Sequence, residues 1–109
     1  MQELNNEIRK VHFIGIGGIG ISAIARFLHE KGHKISGSDI KESKTTLELQ
    51  NEGIEVITPH CKEAIKDQDF VVYSAAIKED NIELVEARNK GIKCFSRKEI
   101  LPYVLEDKC

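Results

Sequence analysis

The chain has 109 residues, a formal net charge of -2 and an isoelectric point near 6.1. This length suits a single domain with its own core, and the slightly acidic balance argues against a nucleic-acid partner, which usually requires a basic surface. No apolar run approaches the roughly eighteen residues that cross a bilayer, and the polar N-terminal segment does not resemble a signal peptide. We therefore expect neither nucleic acid nor a membrane as a partner.

The three cysteines, Cys61, Cys94 and Cys109, are odd in number and widely spaced. This pattern favours a reducing, cytoplasmic compartment over a disulfide framework. The cysteines and the four histidines form no metal-ligand spacing. We expect a cytoplasmic protein without a metal site.

The first predicted strand covers residues 10–16, a nearly continuous apolar run that is typical of a strand buried on both faces. The pattern Gly15-x-Gly17-x-x-Gly20 follows, and apolar residues at helical spacing predict a helix over about 18–31. In this order of elements, Gly15 allows a tight turn, Gly17 lets a diphosphate approach the backbone, and Gly20 lets the helix pack closely on the strand. The helix start then favours an anion.

A second strand is predicted over residues 34–38 and leads into Asp39, nineteen residues after Gly20. Dinucleotide-binding folds place a ribose-binding acid at this position. Asp39 could instead cap the turn that follows it, and this alternative stays open.

The remaining pattern predicts a helix over 45–52, strands over 54–57, 69–73 and 92–95, and a helical turn near 63–66. Asp80-x-x-Glu83 and Ser96-x-x-Glu99 have the form of capping boxes, the first before a helix that ends near Lys90. Pro102 leaves the extent of the last helix open. Because strands and helices alternate, we predict an α/β fold, a Rossmann-like open sheet of about five parallel strands with helices on both faces.

Parallel sheets bind ligands beyond the carboxyl ends of their strands, so the segments that follow the strands should meet there. The sequence contains no G-x-x-x-x-G-K-[ST] loop and no evident nucleophile set; the adjacency of His60 and Cys61 does not place their side chains in contact. These features indicate a module that binds a dinucleotide or a nucleotide sugar, with no catalytic residue and no metal site.

Several motifs resemble the Mur ligase family of peptidoglycan synthesis, and within it the ligases that add L-alanine. They are His12-Phe13-Ile14-Gly15-Ile16-Gly17-Gly18-x-Gly20-x-Ser22, Ser36-Gly37-Ser38-Asp39, Thr46-x-x-Leu49, Ser74-Ala75-Ala76-Ile77, and Arg97-x-Glu99-Ile100-Leu101. The resemblance covers residues 11–105. Ala75 departs from it by replacing a common serine, which removes a hydroxyl near the expected site.

The resemblance implies that residues 1–109 form one UDP-binding domain, the N-terminal domain of a three-domain ligase. The central ATPase domain, with ATP and Mg, and the C-terminal domain would lie beyond this sequence. The chain would bind UDP-N-acetylmuramate or UDP, hold no cofactor of its own, and be inactive alone, although it would belong to an enzyme of cell-wall biogenesis, cell shape and cell division. The alternatives are the NAD-binding domain of a dehydrogenase and a nucleotide-sensing regulatory module.

The resemblance also implies roles for individual residues. Backbone N–H groups of Gly15, Gly17, Gly18, Ile19 and Gly20 would hold the diphosphate; Ser38 and Asp39 would contact the ribose or uracil; Ser74, Ala75, Ala76 and Ile77 would border the uridine. His60 would donate to the nucleotide or line the cleft, with a surface position as the alternative. We expect His12 to be a core histidine and Arg88 to form a structural ion pair.

Overall fold

The computed structural model describes residues 8–108. In chain order its strands are β1 (Lys10–Ile14), β2 (Lys34–Ser38), β3 (Glu55–Ile57), β4 (Phe70–Tyr73) and β5 (Lys93–Ser96). Its helices are α1 (Ile19–Glu30), α2 (Lys44–Asn51), α3 (Ile82–Asn89) and α4 (Arg97–Lys108), and a 3₁₀ turn (Lys62–Ala64) precedes β4. Cys61 and Cys94 are free thiols, and Cys109 lies outside the described residues.

The five strands form one parallel sheet in the order β3-β2-β1-β4-β5. This topology confirms the predicted α/β fold. In the register of the sheet, Ile14 at the end of β1 lies beside Ser38 of β2 and Tyr73 of β4, so the three central strands end level. From β1 the sheet extends on one side through β2 and β3 and on the other through β4 and β5, so the topological switch point lies between β1 and β4. The loops that follow these two strands border the crevice at which such sheets bind ligands.

Side chains of β1 alternate between two apolar layers, as a strand requires. Val11 and Phe13 join the larger core, which includes residues of α1 and α4, whereas Ile14 joins a smaller core with Leu84 and Ala87 of α3. Helices therefore cover both faces of the sheet, as predicted.

The first strand is shorter than predicted and ends at Ile14 rather than at Ile16. Gly15 has a φ of 82°, in the left-handed region that favours glycine, and turns the chain out of the sheet. The N–H groups of Gly15 and Ile16 both donate to the carbonyl oxygen of Ser38, at 2.8 and 3.0 Å. The strand-to-helix turn is thus anchored on the end of β2.

The predicted capping box at Asp80 and Glu83 is wrong. Asn81 caps α3, since its side-chain oxygen accepts from the N–H groups of Glu83 and Leu84 at 2.9 and 3.2 Å. The carboxylate of Glu83 is buried in the protein and does not reach back to the helix start.

The capping box at Ser96 and Glu99 is confirmed, with reciprocal hydrogen bonds of 2.7 and 3.2 Å. The helix that it begins continues through Pro102, which lacks an N–H and so removes one helical hydrogen bond. None of the helices in residues 8–108 has the length and apolar character needed to cross a membrane.

Gly37 is required by packing. A Cβ at this position would come within 2.9 Å of Ile16 Cγ1 and closer still to other atoms of the same, fully buried side chain. We expect Gly37→Ala to lower the free energy of unfolding by about 1–3 kcal/mol, the usual cost of overpacking a core. The measurement is a urea titration at pH 7.

Gly18→Ala is the matched control, because the nearest atom to its added Cβ is 3.5 Å away. It should cost less than about 1 kcal/mol, the effect of an alanine at a helix N-cap. Equal losses in the two variants would contradict the packing role of Gly37.

Candidate functional site

The glycine-rich loop leaves open backbone donors at the start of α1. Gly18 is the N-cap residue, no side chain caps the helix, and the first N–H to reach a helical carbonyl is that of Ser22, which donates to Gly18 at 2.8 Å. The N–H groups of Ile19, Gly20 and Ile21 come before this bond and find no acceptor within the described residues. Together with the helix dipole they form a setting that favours an anion.

The other glycines of the loop have their N–H groups occupied. Gly17 donates to Asp39 Oδ2 at 2.8 Å, Gly18 donates to the carbonyl of Gly15 at 3.1 Å, and Gly15 donates to Ser38. In this state they shape the loop, and the predicted donation by Gly15, Gly17 and Gly18 to a diphosphate stays a prediction.

Asp39 joins the loop to the segment after β2. Its carboxylate accepts from Gly17 and, through Oδ1, from the N–H of Ile40 at 2.8 Å. A Cβ on Gly17 would lie 2.6 Å from Asp39 Oδ2 and 3.3 Å from Thr46 Cγ2, so glycine is needed for this approach. Asp39 thus both organises the following turn and stands beside the candidate anion site.

The segment after β4 approaches the same loop. A Cβ on Gly15 would lie 2.8 Å from Ser74 Oγ and 3.4 Å from Ile77 Cδ1. The Ser74 hydroxyl accepts from the N–H of Ala76 at 3.3 Å, and Ser74 O accepts from the N–H of Ile77 at 3.1 Å, which folds Ser74–Ile77 into a tight turn.

A cavity of about 220 Å³ lies next to this turn. Three of its lining residues, His60, Ala76 and Ile77, were predicted as site residues. The other four, Ile40, Lys78, Asp80 and Asn81, were not. Ile40 is 70 % exposed and, with Ile77, offers apolar surface at the cavity. The sequence could have indicated this role for Ile40, because it is an apolar residue directly after the acid that follows a strand. A larger depression, about 390 Å³, lies at the opposite edge, where no predicted site residue lines it.

A buried hydrogen-bond network lies behind His60. The carboxylate of Glu83 is fully buried; its Oε1 accepts from His12 Nε2 at 2.8 Å and from Ser38 Oγ at 2.6 Å, and its Oε2 accepts from the N–H of Cys61 at 2.7 Å. Ser38 Oγ is also 2.8 Å from His60 Nδ1. His12 is therefore a satisfied core residue, as predicted.

Ser38 differs from its predicted setting. Its side chain has no exposed surface and faces Glu83 and His60, so its hydroxyl does not border the crevice. The prediction that Ser38 contacts a ligand is untested, but its geometry favours a role through His60.

Two opposing effects act on the pKa of Glu83. Burial disfavours the charged form and raises the pKa, whereas the hydrogen bonds from His12, Ser38 and Cys61 favour the carboxylate and lower it. The hydrogen bonds dominate, so the pKa of Glu83 lies below its usual range and the group is ionised at neutral pH.

Arg97 is a candidate site residue that the sequence showed only as part of a family motif. A Cβ on Gly20 would lie 2.9 Å from Arg97 Cζ, so the guanidinium packs on the first turn of α1. Gly20 therefore makes room for Arg97. The expectation that it also lets the helix pack closely on the strand stays a prediction. Among the described residues no acid pairs with Arg97, and a cation beside the positive end of a helix is stabilised when an anion binds there.

Arg88 forms an ion pair with Glu79, as predicted. No group of three or more His, Cys, Asp or Glu side chains in residues 8–108 is placed to hold a metal ion.

The family model described as Mur ligase family, catalytic domain, matches residues 10–108. The UDP-N-acetylmuramate--L-alanine ligase of Campylobacter curvus is 88% identical over 101 residues, which cover 93% of this chain and 23% of that protein. The ligase of the same name from Campylobacter jejuni strain RM1221 is 64% identical over 101 residues, which again cover 93% of this chain and 23% of that protein. The chain thus spans less than a quarter of the length of these curated relatives.

Among solved structures, the UDP-N-acetylmuramate-alanine ligase of Thermotoga maritima superimposes with a TM-score of 0.87 at 36% identity, over 90% of this chain and 23% of that one. A Bacillus halodurans protein described as a putative NAD-dependent epimerase/dehydratase reaches a TM-score of 0.57 at 22% identity, over 80% of this chain and 49% of that one. The second likeness concerns the fold alone.

The depressed pKa of Glu83 predicts how stability depends on pH. The ionised carboxylate stabilises the fold fully above the unfolded-state pKa of about 4.3, and this contribution is lost as the pH falls through the lower folded-state pKa. In urea titrations from pH 7 to 3, we expect Glu83→Gln to be less stable than the wild type at pH 7, by about 1–3 kcal/mol. Its stability should also fall less steeply in acid.

Glu86→Gln on the same helix is the control, because Glu86 lies nearer the surface, where it faces Lys90 at 3.6 Å. The free energy of unfolding of Glu86→Gln should depend on pH as that of the wild type does. An equally steep acid loss in Glu83→Gln and the wild type would contradict the assignment.

Proposed function

The chain belongs to the Mur ligase family, and we propose that it binds the UDP end of UDP-N-acetylmuramate within a ligase that joins L-alanine to that substrate. The observation that carries the proposal is the meeting of an anion-favouring helix start and an apolar-walled cavity at one edge of the sheet. A diphosphate fits the first, and a nucleoside fits the second. The substrate itself is taken from the printed names of the similar ligases.

We assign the diphosphate to the open N–H groups of Ile19 and Gly20, with the Arg97 guanidinium as a counter-charge. Gly15, Gly17 and Gly18 give the loop its shape, and their N–H groups are available to a ligand only if their present hydrogen bonds are exchanged. We assign the ribose hydroxyls to Asp39, because its carboxylate stands at the end of β2 beside the loop.

The nucleoside is assigned to the cavity after β4. Ile40 and Ile77 supply apolar surface for a base, Ala75 and Ala76 are exposed beside it, and His60 supplies a polar group. Small residues in this turn leave space for a planar ring.

The chemistry of ligation is assigned to the rest of such an enzyme. We propose that ATP and Mg²⁺ act in other domains, because this sequence contains no G-x-x-x-x-G-K-[ST] loop, and that this chain alone does not form the amide bond. Residues 1–109 would then be one domain that holds the substrate by its nucleotide. The cytoplasmic location expected from the cysteine content stays a prediction.

The two alternatives raised by the sequence, an NAD-binding domain and a nucleotide sensor, are not supported. The likeness to the NAD-dependent epimerase/dehydratase homologue has 22% identity and extends to the fold only.

Ligand-dependent thermal stability tests the proposal. We expect UDP and UDP-N-acetylmuramate to raise the midpoint of thermal unfolding, since a ligand at a hundred times its dissociation constant adds about 2.7 kcal/mol to stability. NAD and ATP at equal concentration should leave the midpoint unchanged. A shift with NAD alone would contradict the proposal.

Replacement of Arg97 tests the charge at the diphosphate site. Arg97→Gln should weaken UDP binding roughly tenfold, the worth of one charge-assisted hydrogen bond, and should leave uridine binding unchanged because uridine carries no phosphate. Isothermal titration calorimetry at low salt measures both affinities.

Lys98→Gln removes the same charge from the next, exposed residue and is the matched control. Equal effects of the two variants on the affinity for UDP would show that only the net charge of the domain matters, and would remove Arg97 from the site.

A further inference from the structure

We propose that the buried Glu83 carboxylate, acting through Ser38, holds His60 in the tautomer with its proton on Nδ1, so that Nε2 is a bare acceptor for an N–H or O–H group of the bound nucleoside. This inference rests on the proposed function, because it describes how the same site reads its ligand. Glu83 and Ser38 are positioning residues here, and His60 is the group that contacts the ligand. It does so as an acceptor, in place of the donor role that the family resemblance implied.

The direction of each hydrogen bond follows from what each group can donate. A carboxylate only accepts, so the Cys61 N–H and His12 Nε2 both donate to Glu83, at 2.7 and 2.8 Å. Ser38 has one hydroxyl proton, and its shortest contact, 2.6 Å, is to Glu83 Oε1. That proton therefore points to Glu83.

The remaining contact of Ser38 determines the state of His60. Since the Ser38 proton is committed to Glu83, Ser38 Oγ accepts the hydrogen bond from His60 Nδ1 at 2.8 Å. In the neutral form of the ring, a proton on Nδ1 leaves a lone pair on Nε2. The ionised state of Glu83, whose pKa lies below its usual range, keeps this direction in place at neutral pH.

Nε2 of His60 is buried and has no hydrogen-bond partner within the described residues. Buried polar atoms without partners are rare in folded proteins and each calls for an explanation. His60 also lines the cavity with Ile40 and Ile77. The ring of His60 lines the cavity while Nε2 itself is covered, so a donor on the molecule that fills the cavity reaches Nε2 by displacing the atoms that now cover it.

Uridine nucleotides carry two kinds of donor that could meet this acceptor: the N3–H of the uracil ring and the hydroxyls of the ribose. Either would satisfy Nε2. A contact with N3–H would also select uracil over cytosine, because cytosine has a lone pair at N3.

The tautomer is measured directly by the ¹⁵N NMR shifts of the imidazole, with the His60 signals assigned by their loss in His60→Ala. We expect a protonated Nδ1 and a bare Nε2 at pH 7. Ser38→Ala should release His60 into a mixture of tautomers, whereas Ser36→Ala, which removes a hydroxyl 2.8 Å from His12 instead, should leave it unchanged. A protonated Nε2 in the wild type would overturn the proposal, whatever the protein binds.

The acceptor role is tested by comparing UDP, N3-methyl-UDP and the 2′-deoxy and 3′-deoxy forms of UDP by calorimetry. We expect at least one analogue to bind the wild type about tenfold more weakly than UDP and to show no such loss in His60→Ala. A loss with N3-methyl-UDP identifies the base as the donor, and a loss with a deoxy form identifies the ribose.

Equal binding of UDP and all three analogues to the wild type would overturn the acceptor role and leave the proposed function standing. Losses of affinity that persist in His60→Ala would have the same two consequences. Absence of UDP binding itself would contradict the proposed function, and the NMR measurement would still decide the tautomer.

Discussion

The carboxylate of Glu83 joins four separate segments of the chain. From α3 it accepts hydrogen bonds from His12 on β1, from Ser38 at the end of β2 and from the backbone of Cys61 after β3. A buried charge is costly to remove from water and persists only when donors surround it, so the network requires all four segments to be in place at once. It fixes α3 against the carboxyl ends of the central strands and sets the position of His60.

A second constraint is the close approach of other segments to the glycines. The space that a Cβ would take is filled by Ser74 at Gly15, by Asp39 at Gly17, by Arg97 at Gly20 and by Ile16 at Gly37. The glycine pattern therefore serves the packing of the chain as well as a ligand. The crevice keeps its shape because three loops meet over one strand-to-helix turn.

In the proposed function, this domain grips the substrate at its nucleotide, far from the carboxyl group that reacts. Binding energy from a remote part of a substrate can hold the reacting group in place for chemistry elsewhere. Such a division of labour suits a chain with open backbone donors and a nucleoside-sized cavity but no predicted catalytic residue.

The sequence by itself determined the succession of strands and helices along the chain, the parallel sheet, the strand-to-helix glycine loop and the Ser96–Glu99 capping box. These depend on hydrophobic periodicity and on residues a few positions apart, which are visible locally. The tertiary structure alone decided that Glu83 enters the core instead of capping a helix, that Ser38 faces inward, and that Arg97 and Ile40 border the crevice. Each of these depends on partners more than twenty residues away in the sequence, as with Glu83 and His12, which are separated by 71 residues. The local sequence pattern does not reveal such contacts, because they form only when the sheet brings its loops to one edge.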